Sequence, residues 1–112
     1  MADLAGALAL KSIAMRGREG PDPKDDYDVW TLCHYYGAGP REVGRVVRPA
    51  VVDPAVRREL EALGERFASR TSIGAQRVAE FLVEDLPEDV ADPLTAAAED
   101  IRMMLEAAGV PS

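Results

Sequence analysis

Two short stretches carry charge where a helix would bury apolar side chains. On a helix advancing 100° per residue, Leu4, Leu8, Lys11 and Met15 fall within a sector of roughly 60°. Lys11 therefore stands inside an apolar stripe, with Arg16 about a turn beyond it. A lysine so placed either snorkels from the edge of a core or aims its ammonium into a cleft, toward a phosphate or carboxylate. The same arithmetic puts Asp25, Asp28, Val29, Leu32 and Tyr36 on one face of a second helix. Acids are favoured in a first helical turn by the backbone dipole, which accounts for Asp25 and Asp26. It accounts less well for Asp28, which lies a turn further in and points the same way as the apolar residues. Tyr27, Trp30 and His34 take the opposite side, so the helix is apolar nearly all round and belongs in the middle of its domain. Acids buried there need partners. The expectation is a salt bridge from Asp25 or Asp28 to Lys11 or Arg16.

The remaining reactive residue types are sparse. With one cysteine, Cys33, the chain can form no internal disulfide and no cysteine metal cluster. With one histidine, His34, it lacks the ligands of most histidine metal sites, and no metal ligand is assigned. A lone histidine among aromatics is more often a packing residue than a base, and Cys33 reads as a small core residue. Tyr27, Tyr35 and Tyr36 read as core rather than as a platform for stacking bases. Arg41, Arg45 and Arg48, with Arg57 and Arg58 after them, form a basic group. It either tracks phosphates or is a solvated helix face.

The elements that must position these residues are helices. The 112 residues make one domain with a single core. Alanine is abundant, no apolar/polar alternation is long enough for a strand, and Gly and Pro sit where helices end. Val46-Val47 and Val51-Val52 are the only β-like spots. A first helix is expected from an N-cap at Asp3 to about Gly17, then a polar loop over Arg18–Pro23. A second runs from about Lys24 to Tyr36 and is ended by Gly37-Ala-Gly-Pro40. Pro40 opens a short third helix to about Arg48, and Pro54, capped by Asp53, a fourth to about Ala68. Ser72 caps a fifth through about Glu84, and Asp92 a sixth that ends before Gly109. The predicted fold is all-α, a compact bundle of about six helices over residues 1–112.

Charge narrows the partners. Residues 1–50 carry seven Lys/Arg and seven Asp/Glu, whereas residues 51–112 carry six and thirteen, which is the whole of the net −7. The second half should repel nucleic acid, so a phosphate would meet the first half. No apolar run reaches the ~18 residues of a membrane span, and no secretion signal is visible, so a cytoplasmic protein is expected.

The runs Leu8-Ala-Leu-Lys11-Ser-Ile-Ala-Met-Arg16 and Lys24-Asp25-Asp-Tyr27-Asp28-Val-Trp30 resemble the helical second half of the AbiEii-like nucleotidyltransferases, a family that includes toxins of toxin–antitoxin systems. Members carry a lysine, an arginine about a turn later, and a Lys/Arg-Asp-x-Tyr-Asp-Leu segment, with Val29 here in place of the leucine. The stretch from Phe67 through Ser72, Gly74 and Arg77 to Phe81 also resembles members of the family. The resemblance implies that Lys11 and Arg16 bind a nucleoside triphosphate (NTP). It implies that Asp25, supported by Asp28, is an auxiliary catalytic acid beside a metal site. Family members begin with an α/β lobe bearing a Gly-Ser motif and an acidic pair that holds the metals, and this sequence contains no Gly-Ser. The chain is thus expected to be inactive alone and to use Mg²⁺ and NTP only with such a lobe supplied. That lobe, an antitoxin and a second copy of the chain are the partners the resemblance suggests. The alternative is a non-enzymatic helical interaction or regulatory module.

Overall fold

Proline and glycine divide the chain into helices close to where the sequence predicts them. A computed structural model describes residues 4–17, 23–83 and 86–110. It contains α1 (Leu4–Gly17), α2 (Pro23–Tyr35), α3 (Pro40–Val47), α4 (Pro54–Arg66), α5 (Ile73–Leu82) and α6 (Pro93–Ala108). No strand occurs among the described residues, and the fold is a compact all-α bundle with a radius of gyration of 12.8 Å. The valine pairs form no strand. Val46 and Val47 end α3, and Val51 and Val52 belong to a 3₁₀ turn, Arg48–Val52, that carries the chain into α4.

The caps explain the boundaries. The Asp53 carboxylate accepts from the Ala55 N–H at 2.9 Å, and Asp92 accepts from Leu94 and Thr95. Each occupies a donor that the first helical turn leaves without an intrahelical partner. Ser72 occupies the N-cap position of α5 but does not cap it; its Oγ accepts from the Ser69 N–H at 3.0 Å within the preceding turn. α6 ends at Gly109, whose φ of 78° lets Val110 N–H reach Leu105 O and Gly109 N–H reach Glu106 O. This left-handed closure is the one glycine makes at no steric cost. The expected cap at Asp3, the end of helix five at Glu84 and most of the Arg18–Pro23 loop lie outside the described residues.

The core runs through all six helices. Leu8, Trp30, Val43, Val47, Leu60, Leu63, Val78, Ile101, Met104 and Leu105 are essentially without solvent contact. α3 and α6 form the most extensive pairing, and α2 packs against α5 and α6. Gly44 sets the closeness of α3 and α6. A Cβ there would run into the Met104 carbonyl oxygen and the Ala107 methyl group. α2, apolar on most sides as expected, touches α1, α3, α5 and α6. It is the element that brings charge into the interior.

Candidate functional site

α2 enters the bundle with three acids in its first two turns. Asp25 and Asp26 are buried, and Asp28 is partly exposed. Lys11, reaching across from α1, sets its Nζ 2.8 Å from Asp28 Oδ2 and 3.4 Å from Asp25 Oδ1. This is the cation–acid pairing expected from the two apolar stripes. The Asp28 hydrogen bond, opposed by burial and reinforced by both negative charges, raises the Lys11 pKa above its ordinary value. The ammonium is therefore firmly charged. Its side chain is 37% exposed and that of Asp28 27%, so this pair lies on an accessible edge, whereas Asp25 is buried. The side chain of Arg16 lies outside the described residues.

Asp26, assigned by sequence to the helix dipole alone, has a second role. Its carboxylate is fully buried and gripped by the Arg66 guanidinium of α4, Nη2 to Oδ2 at 2.8 Å and Nε to Oδ1 at 2.5 Å. This bidentate fork holds α2 to α4 with fixed geometry. Beside it, Ser12 Oγ donates to Glu59 Oε1 at 3.0 Å, joining α1 to α4 through a buried carboxyl.

The far end of α2 carries a second polar constellation. Asp100 of α6 is buried, and its Oδ2 accepts from Trp30 Nε1 at 2.9 Å and from His34 Nδ1 at 2.6 Å. His34 Nε2 donates to Asp89 Oδ2 at 2.9 Å, and Tyr35 Oη donates to Asp89 Oδ1 at 3.3 Å. The imidazole stacks on the Trp30 indole at 4.9 Å between centroids. Both ring nitrogens face carboxylates, an arrangement that suits the imidazolium, in which both are donors. Burial pushes the His34 pKa down, but the hydrogen bonds to Asp89 and Asp100 and their charges outweigh it and raise it above the usual value. The hydrogen bond from His34 correspondingly holds Asp89 below the usual carboxylate range. A general base needs a free ring nitrogen aimed at its substrate, and His34 has both engaged. Its chemistry is structural: it ties α2 to α6 and to the segment before α6. Cys33 is fully buried, and burial, with the Asp100 charge, pushes its thiol pKa far up, so it is an inert core residue.

The tyrosines do not all enter the core. Tyr27 is half-buried and stacks on Phe81 at 4.2 Å, whereas Tyr35 and Tyr36 stand about half-exposed at the surface. The five arginines of residues 41–58 all stand at the surface.

As a metal site the α2 acids fall short. Mg²⁺ requires near-octahedral oxygen coordination. Asp25 and Asp28 come from neighbouring turns of one helix, and both face the Lys11 ammonium. Among the described residues no group of three or more His, Cys, Asp or Glu side chains is arranged to hold a metal. Likewise, no helix of the described chain is long and apolar enough to cross a membrane. Compared with protein-family models, curated proteins and solved structures, the chain matches none.

Proposed function

We propose that this chain is the helical part of an AbiEii-like nucleotidyltransferase, presenting Lys11 to the phosphates of an NTP and inactive in transfer by itself. The observation that carries the reading is the Lys11–Asp28 pair on an accessible edge between α1 and α2, with the buried Asp25 also within reach of the ammonium. A charged ammonium there offsets phosphate charge, with Arg16 proposed as its support. Asp25, with Asp28 beside it, takes the part of an auxiliary acid next to a metal site whose principal ligands come from a separate lobe. The α2 acids alone supply too few oxygens in too narrow an arc, so no step is assigned to a metal held by this chain.

A second reading, a helical interaction or regulatory module without catalysis, is favoured by one feature of the same trio. The ammonium already has two carboxylates for partners, so it needs no phosphate to be stable. Titrating the full chain with ATP, CTP, GTP and UTP, with and without Mg²⁺, separates the two. Amide shifts at Lys11 and Asp28 that saturate and vanish in Lys11→Met support the nucleotide reading. Spectra unmoved by every triphosphate overturn it in favour of the module. Labelled product from the isolated chain with Mg²⁺ and total RNA, lost in Asp25→Ala, would show instead that the chain is a complete enzyme.

A further inference from the structure

The arginines of residues 41–77 fall into two populations. Arg66, Arg70 and Arg77, on or beside α4 and α5, each have a carboxylate within 4 Å. Arg41, Arg45, Arg48, Arg57 and Arg58 are all exposed and have no such partner among the described residues. The two acids within residues 41–58 are turned to the backbone instead. Glu42 Oε2 accepts from the Ala38 N–H at 2.9 Å, and Asp53 caps α4. The segment thus carries a formal +3 in a chain whose other residues sum to −10.

The spacing gives this charge a direction. Arg48 continues the right-handed helical backbone of α3, with φ −50° and ψ −45°. Arg41, Arg45 and Arg48 therefore share a sector of roughly 60°, rising about 6 Å and then 4.5 Å along the axis. They lie opposite the buried Val43 and Val47, which fasten α3 to the core. The result is a row of cations on a rigid support. Leaving such a row without counter-charges is unfavourable in isolation, because like charges repel.

We propose that the α3 arginine row is a docking surface for the phosphate backbone of a nucleic acid strand. Guanidinium groups bind phosphate oxygens bidentately, and a row of them follows a strand. The segment contains no aromatic residue, so it offers no stacking platform and contacts the backbone without reading sequence. Protein partners draw most of their binding energy from buried aromatic and arginine anchors set among apolar contacts. The half-exposed Val46 and the protruding Val52 are the large apolar groups on show in this segment, which favours the strand over an acidic protein. The acidic remainder of the surface repels the same strand and so confines it to this face. The inference is independent of the Lys11 site, which lies on α1 and α2.

The test is fluorescence anisotropy of the full chain with a labelled mixed-sequence RNA of about 20 nucleotides, from about 50 to 250 mM salt, where counterion release sets the slope. Arg48 packs against the end of α6, its Cζ lying 3.8 Å from where a Cβ on Gly109 would stand, so the diagnostic variant is Arg41→Gln/Arg45→Gln. This double variant is expected to bind roughly tenfold more weakly at about 50 mM salt and to lower the log K against log salt slope by about 1.4. Arg102→Gln, at an exposed site on α6, should bind as the parent does. Absence of binding at the lowest salt, or a double variant that binds as tightly as the parent, overturns the proposal. So does preference for a polyglutamate peptide over the RNA, which would assign the face to an acidic protein.

Discussion

The two ends of α2 solve the same problem in opposite ways. At its N-terminus the helix supplies the acids, Asp25, Asp26 and Asp28, and other helices bring the cations Lys11 and Arg66. At its C-terminus the helix supplies the cation, His34, and α6 and the segment before it bring Asp100 and Asp89. Both polarities suit the dipole of α2, negative side chains at the head and positive at the tail. The ends differ in what holds them across pH. Lysine and arginine stay charged through the neutral range, whereas histidine does not. The difference teaches that one end is a permanent clamp and the other a conditional one.

The comparison breaks most readily at Arg66. Arg66→Ala leaves the Asp26 carboxylate buried without its guanidinium, and the expected loss is about 3–5 kcal/mol. Urea unfolding followed by circular dichroism measures it; a loss near zero would mean that Asp26 is not the buried half of a clamp. Asp100→Ala at the other end strands the buried Trp30 N–H and one His34 nitrogen, for an expected loss of about 2–3 kcal/mol. The Trp30 fluorescence should change with it, since the indole loses its hydrogen bond.

The conditional nature of the second clamp shows in pH. The His34 pKa is raised in the folded chain. Its contribution is therefore fully present below the unfolded-state value near ~6.5 and is lost as pH rises through the folded value. Asp89 is lowered, so its share of the same contact is present above its unfolded value near ~3.9 and is lost as pH falls through the folded one. Unfolding midpoints measured from pH 5 to 9 should thus fall with a slope that His34→Gln removes and Arg66→Ala leaves in place. An equal slope in parent and His34→Gln would assign the pH dependence elsewhere. The smallest effect is expected at Asp28→Asn. Lys11 and Asp28 are both partly exposed, so the change should be below about 1 kcal/mol. A larger loss would show the accessible edge to be part of the core.

Some of this was legible from sequence and some was not. Lys11 and Asp28 were visible because each interrupts an apolar stripe, and two such interruptions on neighbouring helices predict each other. The same rule also marks Asp100, which stands between Ala97 and Met104, and Glu59, between Val56 and Leu63. Both are buried in the structure. The rule does not separate them from ordinary surface acids, because acids on amphipathic helices usually face water. His34 was read as a packing residue, and it does pack on Trp30, but it also carries a charge between two acids. No spacing on α2 announces that, since both acids lie more than fifty residues away.

Helix periodicity, capping residues and the positions of proline and glycine are local, so the sequence alone determined six helices and their ends to within a residue or two. It also determined that α2 would be central, because a helix apolar on nearly all sides has nowhere else to go. Partner choice was decided only by the tertiary structure. Arg66 closes on Asp26 across 40 residues and Trp30 on Asp100 across 70, and many pairings of these acids and bases satisfy the same local pattern. Which one forms depends on the helix crossings, and these are set by close-packed contacts such as Gly44 against Met104 and Ala107, where room for a single methyl group decides the geometry.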